Sequence, residues 1–495
     1  MKRSILTLAI CLTLTAAARI VAAQSSTNNI ILIQNVTVIS PDRSAPLLAT
    51  DVLIRNGRIA AVGKKVDAGA DVQRVEGRGK FLIPGLIDSH VHVGASAALD
   101  EDAITKHPDL WAAYRAQVPR AYLAFGFTSI VDLDLKPTDQ QWFAATPLHP
   151  HFYHCGGGIK VAGGYGAFRL PAAPSPNFPN LVYEPQEAKS WPGLLNPQDY
   201  TADRAVARSA DRGASCIKAF VEQGFEIFHW PYLHIETLSQ IRDAAHQRHL
   251  PLLVHANNTE SWQIALAADP DIIAHGLWNW PGDFGSAAVP QVARDEIAAA
   301  ARAGVRVQPT LQVVAGQLAY SDTSLLRDPR LAFALPKGVI AYLQSPQGVK
   351  ANEALLEQYR KMAPAPGFDR ILPAIIQRTH ETFKLMLRDH VRVVLGSDTP
   401  AADGFGNPPG LNGRLEMQDW ADNGAPLPLI LRAATLDNAR ALGLGRELGS
   451  IEVGKRADLV LLKENPLSNI SAYDSIEMII LDGKLLARDS LRPPD

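Results

Sequence analysis

The chain lacks the features that mark several large classes of protein. Its 48 lysine and arginine residues nearly balance its 50 aspartate and glutamate residues, so the formal net charge is only −2. A chain without a basic excess has no electrostatic field for nucleic acid, and one with 47% hydrophobic residues is too apolar to be disordered. Its 3 cysteines are too few for a disulfide framework. We therefore predict a globular protein that does not bind nucleic acid.

A long hydrophobic run occurs only at the start of the chain. Lys2 and Arg3 precede an apolar run at residues 5–18, and small residues follow at 21–23. This order predicts a signal peptide over residues 1–23 and a secreted or periplasmic mature protein. An uncleaved anchor is the alternative, since Arg19 lies near the predicted cleavage site. No later run reaches the roughly 20 apolar residues of a membrane helix, so no span is expected after cleavage.

Two cysteines, Cys155 and Cys216, remain in the predicted mature chain. One disulfide between them is compatible with an oxidising compartment. Cys216 lies in an apolar run, however, and this favours a buried free thiol.

The two ends of the chain share a pattern that the middle lacks. From residue 30 to 80, short β-branched runs are separated by turn residues such as Asn56-Gly57, and the pattern returns around Asp482-Gly483. We predict one small β-sandwich domain formed from residues 24–84 and 443–495. Residues 85–442 would form a larger domain inserted between these two segments.

In the middle of the chain, short apolar runs that end in polar residues alternate with segments of helical periodicity. This repetition predicts an α/β fold, a (β/α)8 TIM-type barrel whose functional groups lie at the C-terminal ends of its strands. An open doubly wound sheet is the alternative, but no glycine-rich phosphate loop follows the first strand. Residues 156–196 and 311–377 fit neither pattern and are predicted to be long irregular loops.

Five residues with metal-binding side chains lie at the ends of predicted strands. His90 and His92 alternate along the first strand of the middle region, so both imidazoles face the same side. His255, His275 and Asp398 each close a later apolar run. In a barrel these ends converge, and imidazoles with a carboxylate are suitable ligands for a divalent metal ion.

A sixth residue, Lys218, lies within the apolar run at residues 214–220. An unpaired buried ammonium is costly, so a snorkelling or salt-bridged lysine is one interpretation. Alternatively, carbon dioxide could convert the amine to an anionic carbamate, whose two oxygens can bridge two metal ions.

These motifs together resemble the amidohydrolase superfamily, in the branch of prolidase-like dipeptidases, imidazolonepropionase-like amidohydrolases and ochratoxinase. The resemblance extends over essentially the whole mature chain, through residues 84–92, 126–128, 217–218, 255, 275, 396–398, 433–435 and 449–459. It implies that His90 and His92 hold one metal ion, that His255 and His275 hold a second, and that carboxylated Lys218 bridges them. Asp398 would bind the first metal and act as the catalytic general base. Zinc is the expected metal, although cobalt, manganese and iron suit the same ligands.

The resemblance also implies an activity. We expect a metal-dependent hydrolase of carbon–nitrogen bonds, in which a hydroxide bridging two divalent metal ions attacks the amide carbonyl of a dipeptide-like or N-acyl amino acid substrate. One alternative is hydrolysis of a cyclic amide, lactone or phosphotriester at the same centre. Another is a small-molecule binding protein without activity. A homo-oligomer is compatible with the sequence.

Three aromatic residues are candidates for the substrate pocket. Relatives often carry Gly-Gly-His-Gly after the third strand, whereas this chain has Tyr165 in place of the histidine, where its hydroxyl could donate to a carbonyl oxygen. Trp278 and Trp280 follow His275 closely. They would either pack at the barrel rim or form an apolar wall for the substrate.

Overall fold

The structure is a computed structural model that describes residues 30–168, 178–400 and 404–494. The predicted signal peptide, residues 1–23, lies outside the described residues. Within the described ranges, every helix is too short or too polar to traverse a bilayer.

Strands form in three regions of the described chain. They are β1 (Ile30–Val38), β2 (Leu47–Arg55), β3 (Arg58–Gly63), β4 (Gln73–Glu76), β5 (Phe81–Pro84), β6 (Leu86–Val91), β7 (Phe127–Asp132), β8 (His151–His154), β9 (Ile159–Lys160), β10 (Asn180–Leu181), β11 (Ile217–Phe220), β12 (Leu252–His255), β13 (Ile272–Ala274), β14 (Arg306–Gln308), β15 (Arg392–Val393), β16 (Leu459–Leu462), β17 (Ile476–Leu481) and β18 (Lys484–Ala487).

The α-helices lie between β6 and β16. They are α1 (Glu101–Lys106), α2 (Pro108–Ala124), α3 (Pro137–Ala145), α4 (Ala202–Asp211), α5 (Ile235–Gln247), α6 (Thr259–Ala268), α7 (Gln291–Ala303), α8 (Leu311–Ala315), α9 (Leu331–Ala334), α10 (Lys337–Gln344), α11 (Pro346–Met362), α12 (Phe368–Arg388), α13 (Leu411–Asp422), α14 (Leu427–Arg432) and α15 (Asn438–Ala441). The chain thus has mixed α/β content.

The strands near the two chain ends form one eight-stranded sheet. Its order is β18-β17-β16-β5-β1-β2-β3, and β4 also pairs with β1. The predicted sandwich of two sheets is therefore wrong in this respect, because β16 pairs directly with β5 and makes the sheet continuous. The sheet curls until Ile59 N of β3 donates to Lys455 O (2.9 Å), and a hydrophobic core fills its inner face. The domain bounds at 24–84 and 443–495 stay predictions.

Two hairpin turns of this sheet follow from their sequences. Asn56 and Gly57 have φ of 51° and 74°, and Asp482 and Gly483 have φ of 48° and 71°. A two-residue turn of type I′ requires positive φ at both positions, which Asn-Gly and Asp-Gly tolerate best. These pairs connect β2 to β3 and β17 to β18.

The middle of the chain forms two parallel sheets whose edges meet. One has seven strands in the order β10-β9-β11-β12-β13-β14-β15, and the other has the order β6-β7-β8. Ser215 N, just before β11, donates to His154 O of β8 (2.8 Å), and Ser89 N of β6 donates to Leu395 O beyond β15 (3.2 Å). Val91 also forms a parallel bridge with Thr399. The C-terminal ends of these strands therefore point the same way.

The region 311–377 differs from the predicted irregular loop. It contains α8 to α11 and the first half of α12, and two short 3-10 helices, Gly316–Tyr320 and Thr323–Arg327, lie between α8 and α9. Pro336, Pro346 and Pro366 interrupt the helical periodicity of this region. The helices are therefore difficult to recognise from the sequence. Proline is nevertheless well suited to the first turn of a helix, and Pro346 begins α11.

Cys155 and Cys216 form a disulfide, with their Cα atoms 4.4 Å apart. The preference for a buried free thiol is therefore wrong. Cys155 follows β8 and Cys216 precedes β11, and these strands are neighbours through the hydrogen bond from Ser215 to His154. Both cysteines are fully buried.

Candidate active site

Six predicted residues lie at or beyond the C-terminal ends of central strands. They are His90 in β6, His92 just after it, Lys218 in β11, His255 at the end of β12, His275 just after β13 and Asp398 beyond β15. Since the strands are parallel, their side chains are directed toward one end of the sheets.

Asp398 lies at the centre of three histidines. Its Oδ1 is 3.2 Å from His90 Nε2 and 3.0 Å from His92 Nε2, and its Oδ2 is 3.6 Å from His275 Nδ1. Ligand atoms of His90, His275 and Asp398 all lie within 4.8 Å of one another. This spacing would allow one divalent cation to contact several of them.

Lys218 is buried in the same region, and its Nζ has no hydrogen-bond partner among the described residues. Burial lowers the pKa of the Lys218 amine to about 7. The ring centroid of Phe220 lies 5.2 Å from Nζ. An ammonium here would be desolvated without a hydrogen-bond partner, and the charges of Asp398 and Asp134 offset this cost only in part, so the site favours an uncharged or chemically modified amine.

His255 reaches the cluster through its ring, although it is not part of the closest group. Its centroid lies 4.5 Å from that of His275. Its Nε2 is 3.1 Å from Glu222 Oε2, which also accepts a hydrogen bond from Asn257 Nδ2 (2.9 Å). Because a carboxylate partner fixes the proton on Nε2, Nδ1 is the nitrogen of His255 left for a metal.

The electrostatics of the cluster keep most imidazoles neutral. Burial, followed by the charge of Lys218, lowers the pKa of His90 well below its usual value. Burial likewise lowers the pKa values of His255 and His275. At His92 burial opposes the charged form, but the hydrogen bond and charge of Asp398 raise its pKa overall. Neutral imidazoles are the form that binds metals.

The backbone is strained where the chain leaves three strands. His275, Thr310 and Asp398 have φ of 83°, 48° and 56°, a region that non-glycine residues rarely occupy. Thr310 Oγ1 lies 3.1 Å from His275 Nδ1. Such strain is characteristic of functional sites that the surrounding fold holds in place.

A cavity of about 810 Å³ opens over these residues. Of the three aromatic residues predicted for the substrate pocket, Tyr165 and Trp278 line the cavity, whereas Trp280 is not among its lining residues. Trp280 is buried and packs against Arg378, whose guanidinium carbon is 4.3 Å from the ring centroid. The packing interpretation therefore suits Trp280, and the cavity-wall interpretation suits Trp278.

The sequence profile of the amidohydrolase family matches residues 81–486. The chain belongs to the amidohydrolase family. This confirms the resemblance inferred from the sequence motifs. Family membership supports the predicted class of enzyme, a hydrolase that acts on carbon–nitrogen bonds.

Curated relatives match this amidohydrolase over short segments. The deacetylase Atu3266 of Agrobacterium fabrum is 44% identical over 64 residues, 13% of this chain and 16% of the relative. A dihydroorotase of Pelobacter propionicus is 36% identical over 100 residues, 20% of this chain and 21% of the relative. The chain thus matches well under two thirds of the length of either protein.

Solved amidohydrolase structures are similar over nearly the full chain. An Xaa-Pro dipeptidase with bound methionine is 19% identical, with 93% of this chain and 100% of that chain covered at a TM-score of 0.64. A prolidase complexed with N-methylphosphonate-L-proline is 22% identical, with coverages of 93% and 100% and a TM-score of 0.65. The A. niger ochratoxinase is 20% identical, with coverages of 93% and 96% and a TM-score of 0.63. Identities this low show a common fold.

The residues of this amidohydrolase fit a pair of divalent metal ions. Neutral imidazoles, one carboxylate and the buried Lys218 amine without a partner are the donors that two cations and a bridging carbamate would need. No arginine is among the residues that line the cavity. The fit rests on the donor types, on their burial and on the unpaired state of Lys218.

Several residues that hold the site together could not be recognised in the sequence, chiefly Glu222, Asn257 and Thr310. Asn257 lies two residues beyond His255, and Glu222 two residues beyond the end of β11. The signal that the sequence offered for these three residues was their position two residues beyond the end of a strand. It is weak, because beyond a strand the alternation of side chains no longer holds.

Proposed function

We propose that this protein is an exported, metal-dependent amidohydrolase that cleaves an amide bond in a dipeptide-like or N-acyl amino acid substrate. The observation that carries the proposal is the cluster of His90, His92, His275 and Asp398 at one end of a large cavity, with the buried amine of Lys218 beside it.

We infer in addition that the two parallel sheets close into a (β/α)8 barrel. The hydrogen bonds from Ser215 to His154 and from Ser89 to Leu395 support closure on both sides. Closure would make β6, β7, β8, β11, β12, β13, β14 and β15 the eight barrel strands. It would also bring the metal-binding residues from five of these strands around one axis.

Each metal ligand has a role in this proposal. His90, His92 and Asp398 would hold one divalent cation, His255 and His275 would hold the other, and Lys218 would bridge them as a carbamate. When bound, two such cations would lower the pKa of a water molecule and polarise the scissile carbonyl. Zinc suits these nitrogen and oxygen ligands.

Asp398 is the proposed proton carrier. Its carboxylate faces His90 and His92 with one oxygen and His275 with the other, so it lies between the two halves of the cluster. It would accept the proton of the attacking water and return it to the departing amine, which leaves slowly without a proton. Tyr165 and Trp278 would contact the substrate from the cavity wall.

Several observations support the substrate class. The cavity of about 810 Å³ lies within the range of sites for small organic molecules, and aromatic and aliphatic side chains form most of its wall. Solved relatives of the same fold are named Xaa-Pro dipeptidase, prolidase and ochratoxinase. An amide with a large apolar group would fill such a space.

Export is supported by two independent features. The first 23 residues have the order of a signal peptide, with a basic start, an apolar run and small residues. The disulfide between Cys155 and Cys216 is of the kind that persists in oxidising compartments.

The test is turnover by purified protein reconstituted separately with zinc, cobalt and manganese. We expect hydrolysis of N-acyl amino acids or Xaa-Pro dipeptides, abolished by chelation and restored by metal. Lactones and aryl phosphotriesters serve as comparison substrates. Turnover confined to these two classes would contradict the substrate proposal, and metal-replete protein that binds small molecules without turnover would contradict the enzyme.

A further inference from the structure

A second cavity lies at the N-terminal ends of two central strands, opposite the end that carries the proposed metal ligands. Its volume is about 480 Å³, and the first residues of β14 and β15, Arg306 and Arg392, line it. The other basic residues in its lining are His390, Arg432 and Arg440. Within the described chain, Asp437 is the one acidic residue of this lining. We call this space the basic cavity.

Three of the arginines in the basic cavity have no partner. The side chains of Arg306, Arg392 and Arg440 form no hydrogen bond or ion pair with the described residues. Arg432 uses its Nε on Asp437 Oδ2 (2.9 Å), which leaves both of its Nη groups as donors. The cavity therefore holds four guanidiniums and a single carboxylate.

The strand register places two of these positive charges side by side. Arg306 is the register partner of Arg392 in the parallel pair of β14 with β15. The guanidinium of Arg392 lies over Gly304, where an added Cβ would be 3.6 Å from Cζ, so this charge stays beside the strand that carries Arg306. Neighbouring like charges repel, and an anion placed between them would remove that cost.

Backbone hydrogen bonds hold this part of the cavity in place. Val391 N donates to Met386 O at the end of α12 (2.9 Å), and Val394 N of the second strand donates to Val307 O of the first (2.9 Å). The two arginines at the strand starts thus project from a fixed framework. A site organised before its ligand arrives has a smaller entropic cost of binding.

The directions of the arginines indicate the kind of anion that would fit. Arg306, Arg392 and Arg440 belong to β14, β15 and α15, and so reach the cavity from different elements. A carboxylate has two oxygens in one plane, whereas a phosphate monoester has three terminal oxygens in a tetrahedral arrangement and close to two negative charges. Guanidiniums from several elements can therefore donate to one phosphoryl group. Leu387 and Leu429 also line the cavity and offer apolar contact to the substituent of such an ester.

We propose that the basic cavity binds the phosphoryl group of a phosphate monoester, held by Arg306, Arg392 and Arg440. A cleft lined by charges of one sign concentrates ions of the opposite sign. The proposal does not depend on the proposed hydrolysis, because no proposed metal ligand is among the residues that line this cavity.

The test is calorimetric titration of the metal-replete protein with phenyl phosphate at low ionic strength. We expect a Kd below about 1 mM. Phthalate, a dianion of similar size with planar carboxylates, should bind at least about tenfold more weakly, because it cannot engage all three guanidiniums at once. Equal affinities for the two dianions would overturn the proposal.

Variants show whether the phosphate ester binds in the basic cavity or at the metal centre. The double variant Arg306→Gln/Arg392→Gln should weaken binding of phenyl phosphate by about tenfold or more, since charge-assisted hydrogen bonds are lost. Arg440→Gln should weaken it by about threefold, and because Arg440 is exposed this variant keeps the test available if the double variant does not fold. Undiminished binding in both variants would overturn the proposal.

Arg302→Gln is the matched control. Arg302 lies in the last turn of α7, is exposed and unpaired among the described residues, and is not part of the cavity lining. It removes the same charge from the same end of the strands, so the affinity should change by less than about twofold through screened long-range effects. A loss equal to that of the double variant would show that net charge alone attracts the ligand and would overturn the site.

Vesicles distinguish two sources of the phosphoryl group. Sedimentation with phosphatidylcholine vesicles that contain phosphatidic acid, lost in Arg306→Gln/Arg392→Gln, would support the proposal with a lipid as the source. Binding of phenyl phosphate without such sedimentation would support it with a soluble ester as the source. Absence of both kinds of binding would overturn the proposal.

Discussion

Two clusters of histidine and aspartate lie in different parts of the molecule and differ in what they can bind. One is formed by His90, His275 and Asp398, and the other by His151, Asp458 and Asp482. In both, the nitrogen and oxygen atoms lie within 4.8 Å of one another. By residue type and spacing alone, either could hold a metal ion.

The two clusters differ in the groups that surround their nitrogen and oxygen atoms. Arg456 Nη1 lies 3.0 Å from His151 Nδ1, and His151 Nε2 lies 3.0 Å from Asp458 Oδ2. Since a guanidinium only donates, His151 Nδ1 accepts from Arg456, so this nitrogen is not available to a metal. The first cluster instead adjoins Lys218, whose amine has no partner. The buried Lys218 amine without a partner, more than the types of ligand, distinguishes the proposed metal centre.

The two clusters also lie at opposite ends of the central strands. His151 begins β8 and its partners belong to the terminal sheet, so this cluster joins the start of a central strand to that sheet. The first cluster lies at the opposite, C-terminal ends of the strands. In barrels the C-terminal end carries chemistry, and the N-terminal end contributes stability.

The largest effect is expected for Asp398→Asn. The amide cannot carry the proton from water to the departing amine, so kcat should fall by about a thousandfold. Metal content, measured by mass spectrometry, should stay near that of the unmutated protein, since the histidine ligands remain. An unchanged rate would remove Asp398 as the general base.

Lys218→Ala should lower metal content and reduce turnover by about a hundredfold or more, because the bridging ligand is lost. A small carboxylate such as formate could enter the vacated space and restore part of the activity. Metal content and rate, measured with and without formate, test this. Full metal content and full turnover in the variant would refute the carbamate.

Glu222→Gln should weaken metal binding by about tenfold. A glutamine that keeps its oxygen on the amides of Gly224 and Phe225 would turn its own NH2 toward His255. This would favour the other tautomer and protonate Nδ1, the nitrogen proposed to bind metal. Metal titration of the apoprotein measures the effect. An unaltered metal affinity would show that Glu222 does not position His255.

Asp458→Asn should have the smallest functional effect. Metal content and kcat should remain within about twofold. The free energy of unfolding should fall by about 1–3 kcal/mol, because the amide of Asp482 loses a charged acceptor and His151 loses a charged neighbour. Urea denaturation beside a metal assay measures both quantities. Loss of metal in this variant would show that the second cluster binds metal, and this would contradict the distinction drawn between the two clusters.

Sequence alone predicted the residues whose positions follow from strand periodicity. His90, His255 and Lys218 lie in buried strands, so a run of apolar residues interrupted or closed by one polar residue revealed them. Glu222 and Thr310 lie on loops beyond strand ends, where no periodicity applies. Their contacts depend on how neighbouring loops meet, which only the three-dimensional structure specifies.

The disulfide and the different positions of the two tryptophans also depend on the three-dimensional arrangement of strands and loops. The disulfide of Cys155 with Cys216 depends on β8 and β11 being neighbours, a fact of sheet order that cysteine spacing does not contain. Trp278 and Trp280 are two residues apart, yet one lines the cavity and the other packs on Arg378. On a loop, a separation of two does not place side chains on a common side.

The pairing of β16 with β5 has a consequence for how the chain is made. Leu459 lies opposite Pro84, a separation of 459 − 84 = 375 residues, so β5 has an open edge until the last part of the chain has been synthesised. An exposed strand edge is a template for intermolecular pairing. Shortened chains that end before β16 should therefore aggregate during synthesis, even though every proposed metal ligand precedes the cut.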